Sequence, residues 1–209
     1  MKISYAVTVC DEFVEIQKLL SLLLKNKRNE DEIVVYLSKN SPTSELVGYL
    51  HKLSSNDYIT LVEDIFNNHF ASWKNRLSRA CKGDYIFQID ADEILHKNLI
   101  ENLPQLLEQN STVDLYAVPR VNTVEGLTPE HIQKWGWNLN ENQWVNWPDF
   151  QTRIYKNTSE IKWENKVHEV IKGHQTFAHL PMEEEWALYH PKDIKRQEKQ
   201  NNYYTTLTS

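Results

Sequence analysis

The sequence predicts an α/β fold with a mixed, mostly parallel sheet flanked by helices, and three observations carry that expectation. Short apolar runs alternate with amphipathic segments at short intervals through the first hundred residues; such alternation yields parallel strands joined by right-handed crossovers. The chain of 209 residues is long enough to bury a sizeable core, and its 40% hydrophobic and 11% aromatic content is that of a globular protein. Finally, an apolar run, Tyr85 to Ile89, leads directly into Asp90-Ala91-Asp92-Glu93, which places carboxylates where open α/β sheets bind their ligands.

Element by element, Ile3–Val9 reads as a strand. Glu12 to Lys25 reads as a helix with an apolar stripe at Phe13, Ile16, Leu19, Leu20, Leu23 and Leu24. A polar turn from Asn26 to Asp31 leads to a second strand, Glu32 to Leu37. Ser41-Pro42-Thr43-Ser44 then supplies start signals for a helix over Ser44 to Leu53. Tyr58 to Val62 is the third strand. Phe66, Phe70, Trp73, Leu77 and Ala80 recur at helical spacing, with Gly83 expected as the C-cap of that helix. Thr8 to Glu12, Ser38 to Ser41 and Asp90 to Glu93 thus all lie at strand carboxyl ends and converge on one crevice.

The second half changes character. Asn98 to Gln109 reads as a helix, and Leu115 to Arg120, Ile154 to Lys156 and Val167 to Ile171 as short strands. Five of the seven Trp (135, 137, 144, 147 and 163) fall within about thirty positions of this half. They either fill a core short of helices or form the wall of a sugar pocket, where ring faces stack on indoles. The segment from Asp193 onward is polar and reads as a fraying surface helix, where a longer protein might have been cut. One domain is expected, with residues 1–97 and 98–190 as its two halves and 191–209 as a polar tail.

Charge and composition exclude several classes. A net charge of −6 argues against general nucleic-acid binding, which needs clustered Lys and Arg. No apolar stretch approaches the roughly 20 residues that span a bilayer, and Ile3 to Cys10 is cut short by Asp11 and Glu12, unlike a secretory signal. Cys10 and Cys81 form no metal or redox spacing. A soluble, cytoplasmic protein with reduced thiols is the simplest expectation, and the sequons at Asn110 and Asn157 then carry no weight.

The Asp-x-Asp is either an acidic strand-to-loop turn or a site where hard oxygen ligands hold a divalent cation, with positions left for water or phosphate. Its neighbours weigh in favour of the second. The order of segments resembles the family 2 glycosyltransferases of the GT-A fold, which move a sugar from a nucleotide-diphosphate donor. The resemblance runs from about Lys2 to Gly173 and rests on Thr8-Val9-Cys10-Asp11-Glu12, Trp73-Lys74-Asn75 before Gly83-Asp84-Tyr85, Ile89-Asp90-Ala91-Asp92-Glu93, and Pro148-Asp149-Phe150-Gln151-Thr152-Arg153 followed by Trp163 and Val167-His168-Glu169. The last pattern is similar to the subgroup that includes lipopolysaccharide-core glucosyltransferases. One departure stands out: Ser38 and Lys39 occupy the place of the family's base- and ribose-contacting Asp pair, so uracil recognition is less secure than sugar transfer.

The resemblance implies Mn2+ or Mg2+ as cofactor, a nucleotide-diphosphate sugar (a UDP-sugar foremost) as donor, a glycan or glycolipid acceptor, and inversion at the anomeric carbon. It assigns donor contacts to Thr8, Cys10, Glu12, Lys74, Asn75, Asp90, Ala91 and Asp92. Asp92 would bind the metal, with Asp90 reaching it through water or bonding the ribose, and His168 as a nitrogen ligand; His190 is a second such candidate. A base must take the acceptor proton, with Asp149 first and Glu169 and Glu93 as competitors; an ion pair of Asp149 with Arg153 is the plain alternative. Trp137, Trp147 and Glu93 are the expected acceptor contacts. Two rival classes share the fold: a sugar nucleotidyltransferase, disfavoured by only five Gly and no Gly-rich loop after the first strand, and a catalytically silent carbohydrate-binding domain.

Overall fold

In a computed structural model, which describes residues 1–208 and the side chains through Asn202, short apolar stretches of the chain form the inner strands of the main sheet. The elements are β1 (Ile3–Val9), α1 (Phe13–Asn26), β2 (Glu32–Ser38), α2 (Ser44–Ser55), β3 (Thr60–Asp64), α3 (Phe70–Ala80), β4 (Tyr85–Asp90), β5 (Ile94–Leu95), α4 (Lys97–Gln109), β6 (Leu115–Val118), β7 (Arg120–Glu125), α5 (Pro129–Trp135), β8 (Gln151–Lys156), β9 (Lys162–Glu164), β10 (Val170–Lys172), β11 (Phe177–His179), β12 (Leu188–Asp193) and α6 (Ile194–Thr208). The main sheet has the order β11-β6-β8-β4-β1-β2-β3. Within it β8 alone runs against its neighbours, being antiparallel to both β4 and β6. The expected mixed, mostly parallel sheet with flanking helices is therefore present.

Strands covered on both faces need apolar residues at every position. β1, β2 and β4 come near this, with Ser4 and Gln88 as buried polar exceptions, and α1 lays Ile16, Leu19, Leu20 and Leu23, all fully buried, against one face. Each such side chain contributes about 1.5–3 kcal/mol. On the opposite face α3 packs Trp73 and Leu77 onto Ala6, Val34 and Ile86. Thr43 caps α2 by accepting from the Leu46 amide at 3.2 Å, as the turn chemistry predicts.

Several expectations shift. α3 begins at Phe70, capped by His69, and Phe66 stays in the preceding loop with its ring 4.9 Å from Phe70. The strand expected over Tyr58–Val62 lies at Thr60–Asp64. Gly83 is not the cap of α3, whose C-cap is Cys81. Its role is close approach instead: a Cβ there would lie 2.6 Å from the Ser4 backbone nitrogen. Where one strand was expected over Val167–Ile171, a hairpin of β9 and β10 forms.

The second half also builds a three-stranded sheet, β5-β12-β7, absent from the sequence reading. Pro119 ends β6 and the chain leaves the main sheet; β7 then pairs in parallel with β12, Asn122 standing opposite His190. A bulge interrupts β8: Tyr116 and Ala117 pair with Ile154 and Thr152, leaving Arg153 without a partner on β6. Bulges re-aim side chains, and here the re-aimed one is Arg153. Because β8 is reversed, Gln151 to Arg153 lie at its beginning yet among the carboxyl ends of the other strands.

Candidate active site

Beyond those strand ends lies a cavity of about 820 Å³. Its donor-side floor is set by backbone register. Thr8 and Asp90 are direct neighbours on β1 and β4, and the Thr8 hydroxyl donates to Asp90 Oδ1 at 3.0 Å. The Glu12 carboxylate turns back to accept from the Cys10 and Asp11 amides at 2.8 and 3.1 Å, closing the β1–α1 turn. Burial raises the Glu12 pKa, helped by the charges of Asp11 and Asp92, more than the Cys10 amide lowers it. Thr8, Cys10, Glu12, Asp90, Ala91 and Asp92 all line the cavity, as does Ser38, whereas Lys39 is exposed and outside its wall.

Lys74, on α3, is buried against the same cavity. Its ammonium lies 2.7 Å from Glu169 Oε1 and 4.4 Å from the centroid of the Trp163 ring. Asn75, expected at the donor, is committed elsewhere: its amide donates to the Trp163 carbonyl at 2.7 Å and accepts from the Trp163 amide at 2.9 Å, pinning β9 to α3. That anchor explains the residue without a ligand.

Glu93 differs most from expectation. Its side chain is fully buried rather than open to an acceptor. Oε1 accepts from Arg153 at 2.7 Å and Arg120 at 3.2 Å, and Oε2 accepts from the Asp90 amide at 3.0 Å. A buried carboxylate is tolerable only when paired and hydrogen-bonded, and two guanidiniums meet that demand. Arg153 reaches on to Asp90 Oδ2 at 2.8 Å, and Arg120 to Asp149 Oδ2 at 2.7 Å. A chain of charges therefore runs Asp90–Arg153–Glu93–Arg120–Asp149 beneath the cavity.

A second chain closes the circuit. Asn122 Nδ2 donates to Asp149 Oδ2 at 2.8 Å, Asn122 Oδ1 lies 3.1 Å from His190 Nδ1, and His190 Nε2 lies 3.2 Å from Asp92 Oδ2. Burial works to raise each of the three aspartates, but their partners prevail. Arg153 and Lys74 hold Asp90 far below the usual carboxylate range, His190 and Arg196 lower Asp92 against the opposing charge of Asp90, and Arg120, Asn122 and Gln151 lower Asp149. Asp149 is thus paired with Arg120, not with the neighbouring Arg153.

The three residues expected to ligate a metal do not assemble. Asp90 is engaged by Thr8 and Arg153, and among the described residues no three His, Cys, Asp or Glu are placed to hold an ion. His168 sits in the cavity wall with a left-handed backbone, φ 53°. It is His190, the weaker candidate in the sequence, that faces Asp92. This carboxylate and imidazole are two donors that would fit a divalent cation, the other positions falling to water or a ligand.

Trp137 lines the cavity together with Val145 and Asn146. Trp147 lies outside its wall and meets Trp144 edge to face, ring centroids 4.9 Å apart; Trp163 is buried core that touches the cavity from beneath Lys74. The polar tail is not a free surface helix. Lys192, Gln197, Gln200 and Asn201 form one side of the cavity, Lys192 donates to Gln200, and Arg196 contacts Glu15 at 3.0 Å and Asp92 at 3.3 Å. Sequence reasoning missed Arg120, Asn122 and Arg196, because each acts through partners 27 or more residues away.

Acidic side chains at the end of the central parallel strand, set over buried cations in a ligand-sized cavity, mark an α/β domain that binds an anionic ligand beyond its strand ends. The chain belongs to glycosyl transferase family 2, whose profile matches residues 4–177. Among solved structures it is similar to S. aureus TarS, with a TM-score of 0.62 at 14% identity over 91% of this chain and 37% of that one. It is also similar to S. aureus TarS 1-349 in complex with UDP-GlcNAc, with a TM-score of 0.64 at 14% identity over 92% and 59% of the two chains. The chain thus spans less than two thirds of these proteins, and the likeness is one of fold. No curated protein sequence matches it. Among the described residues no helix is long and apolar enough to cross a membrane.

Proposed function

We propose that this domain transfers a sugar from a nucleoside-diphosphate donor, a UDP-sugar foremost, to a hydroxyl of a glycan or glycolipid, with inversion and with Mn2+ or Mg2+ as cofactor. The observation that carries this reading is that Asp90, Asp92 and Asp149 line one cavity together with the buried cations Lys74 and Arg153. A nucleotide diphosphate complexed to TarS 1-349 supports UDP as the first donor to test, with Ser38 at the base end.

Asp92 and His190 would hold the cation, which supplies charge neutralisation of the departing diphosphate. Thr8, Cys10 and Ser38 bound the nucleotide end of the cavity. Asp90 is too firmly engaged by Arg153 and Thr8 to act as a proton carrier; it is a fixed acceptor for a ribose hydroxyl or an ordered water. Lys74 offers positive charge toward the phosphates.

Asp149 is the base. Its Oδ2 is occupied by Arg120 and Asn122, whereas Oδ1 takes only the Gln151 amide, at 2.8 Å. Oδ1 therefore keeps acceptor capacity for the proton of an incoming hydroxyl. Glu93, sealed between two arginines, lacks that opening; Glu169, tied to Lys74 through Oε1, stays the competitor to be tested beside Asp149. Trp137 provides an indole against which the acceptor ring stacks.

The test is to incubate the protein with Mn2+, a panel of UDP-, GDP- and dTDP-sugars and glycan or glycolipid acceptors, and to measure released nucleoside diphosphate. Acceptor-dependent release that is abolished by a chelator is expected. Formation of pyrophosphate from a nucleoside triphosphate and a sugar phosphate, or no release from any donor, would refute the proposal.

A further inference from the structure

Asn122 lies on β7 directly opposite His190 on β12, so their contact is set by strand register rather than by a side-chain excursion. Its backbone carbonyl also accepts from the Val145 amide at 2.9 Å, which holds the Trp-rich segment beside the cavity. The side chain bridges two functional groups: Asp149 at 2.8 Å on one end and the His190 ring at 3.1 Å on the other.

An amide has one donor end and one acceptor end, and the surroundings decide which is which. Asp149 Oδ2 already accepts two N–H groups from Arg120. As a carboxylate it can only accept, so the amide nitrogen must face it. The amide oxygen is then left facing His190 Nδ1, and that contact at 3.1 Å is a hydrogen bond only if Nδ1 carries a proton.

We infer that Asn122 is a positioning residue that fixes His190 in the tautomer protonated at Nδ1 and turns the Nε2 lone pair toward Asp92. A neutral ring held this way confronts a carboxylate 3.2 Å away with a second electron pair. Arg196, 3.3 Å from the same Asp92 oxygen, offsets part of that charge in the metal-free protein, and a metal ion entering between the two would find both electron pairs ready. A histidine that ligates a metal through one nitrogen commonly donates its other N–H to an oxygen acceptor, and loss of that partner typically costs 10–100-fold in affinity. Asn122 supplies the acceptor and ties it to Asp149, so the group expected to take the acceptor proton and the group expected to face the metal share one amide.

This inference rests on the proposed function only in taking Asp92 and His190 as the metal-facing pair. The tautomer itself stands apart from it. The test uses the full chain labelled with 15N-histidine, with the imidazole nitrogens observed by NMR at about pH 8.5, above the ordinary imidazole range, and His190 assigned from its absence in His190→Gln. The wild-type ring is expected as a single Nδ1–H tautomer. Asn122→Ala should shift it toward Nε2–H, whereas Asn122→Asp, which keeps an oxygen acceptor, should hold it. With Mn2+ and UDP as probe, Asn122→Ala should weaken metal binding about 10–100-fold. An Nε2–H ring in the wild type, or an unchanged tautomer in Asn122→Ala, would overturn the inference while leaving sugar transfer untouched. The wild-type spectrum decides even if a variant fails to fold. Failure to find any transferase activity would conversely leave the tautomer result standing.

Discussion

The two flanks of the cavity are built by different means. On the donor flank, Thr8, Cys10, Glu12, Asp90 and Asp92 come from two adjacent parallel strands and the turns that follow them, so backbone register alone brings them together. On the acceptor flank, Asp149, Arg120, Asn122 and His190 come from a loop and two strands of a separate small sheet, and side-chain bonds rather than register join that loop to the strands. A flank fixed by backbone tolerates loss of one side chain. A flank fixed by a charge network passes each loss to the next member.

The largest expected effect falls on the acceptor side. Asp149→Asn should lower acceptor-dependent turnover by about 10²–10⁴-fold, with nucleotide binding by the donor flank unchanged in a direct titration. The wild-type acid limb should also lie below the ordinary carboxylate range. Burial favours the protonated form of Asp149, but Arg120, Asn122 and Gln151 outweigh it, so the base stays ionised until the pH falls through that lowered value. A variant that weakened both flanks equally would break the contrast.

Glu93 is where the flanks meet. Glu93→Gln leaves two buried guanidiniums sharing one fewer charge, and should destabilise the fold by about 3–5 kcal/mol, read as a fall of about 10 °C in Tm for a chain of this size. An unchanged Tm would mean that Arg120 and Arg153 are held by Asp149 and Asp90 alone. A smaller contrast separates the indoles. Trp137→Ala should raise the acceptor KM about 3–10-fold, the worth of one ring contact, and Trp147→Ala, outside the cavity, should raise it less. The smallest effect belongs to Arg196, a partly exposed cation on Asp92: Arg196→Gln should tighten Mn2+ binding two- to five-fold, about the value of one such pair, and weaker binding would show that it assists the metal instead of competing.

The same contrast explains what the sequence could convey. β1, α1, β2, α2 and β4 are local: apolar runs, a helical stripe and a capping turn each declare themselves within a dozen residues, and Asp90-Ala91-Asp92 sits at the end of one of them. Lys74 was legible only through the family resemblance, since it lies on the buried stripe of its own helix. The β5-β12-β7 sheet was not, because Arg120–Glu125 finds Leu188–Asp193 only after the main sheet has formed. Glu93 was misread for a related reason. An acidic residue after a strand looks solvent-facing until two arginines from distant strands arrive to bury it. Likewise nothing local distinguishes His168 from His190; only the pairing of β12 with β7 brings one of them to Asp92. Gly83 looked like a helix cap, and its true constraint is the backbone of β1 pressed against it.

The central claim is that Asp92, with His190 beside it, couples a divalent cation to a nucleoside diphosphate in this cavity. Calorimetric titration with UDP, in the presence and absence of Mn2+, on the wild type and on Asp92→Asn tests it most directly. Tight UDP binding that needs Mn2+ in the wild type and is lost in Asp92→Asn is the predicted result. Equal UDP binding with and without the metal, unaffected by the substitution, would contradict it.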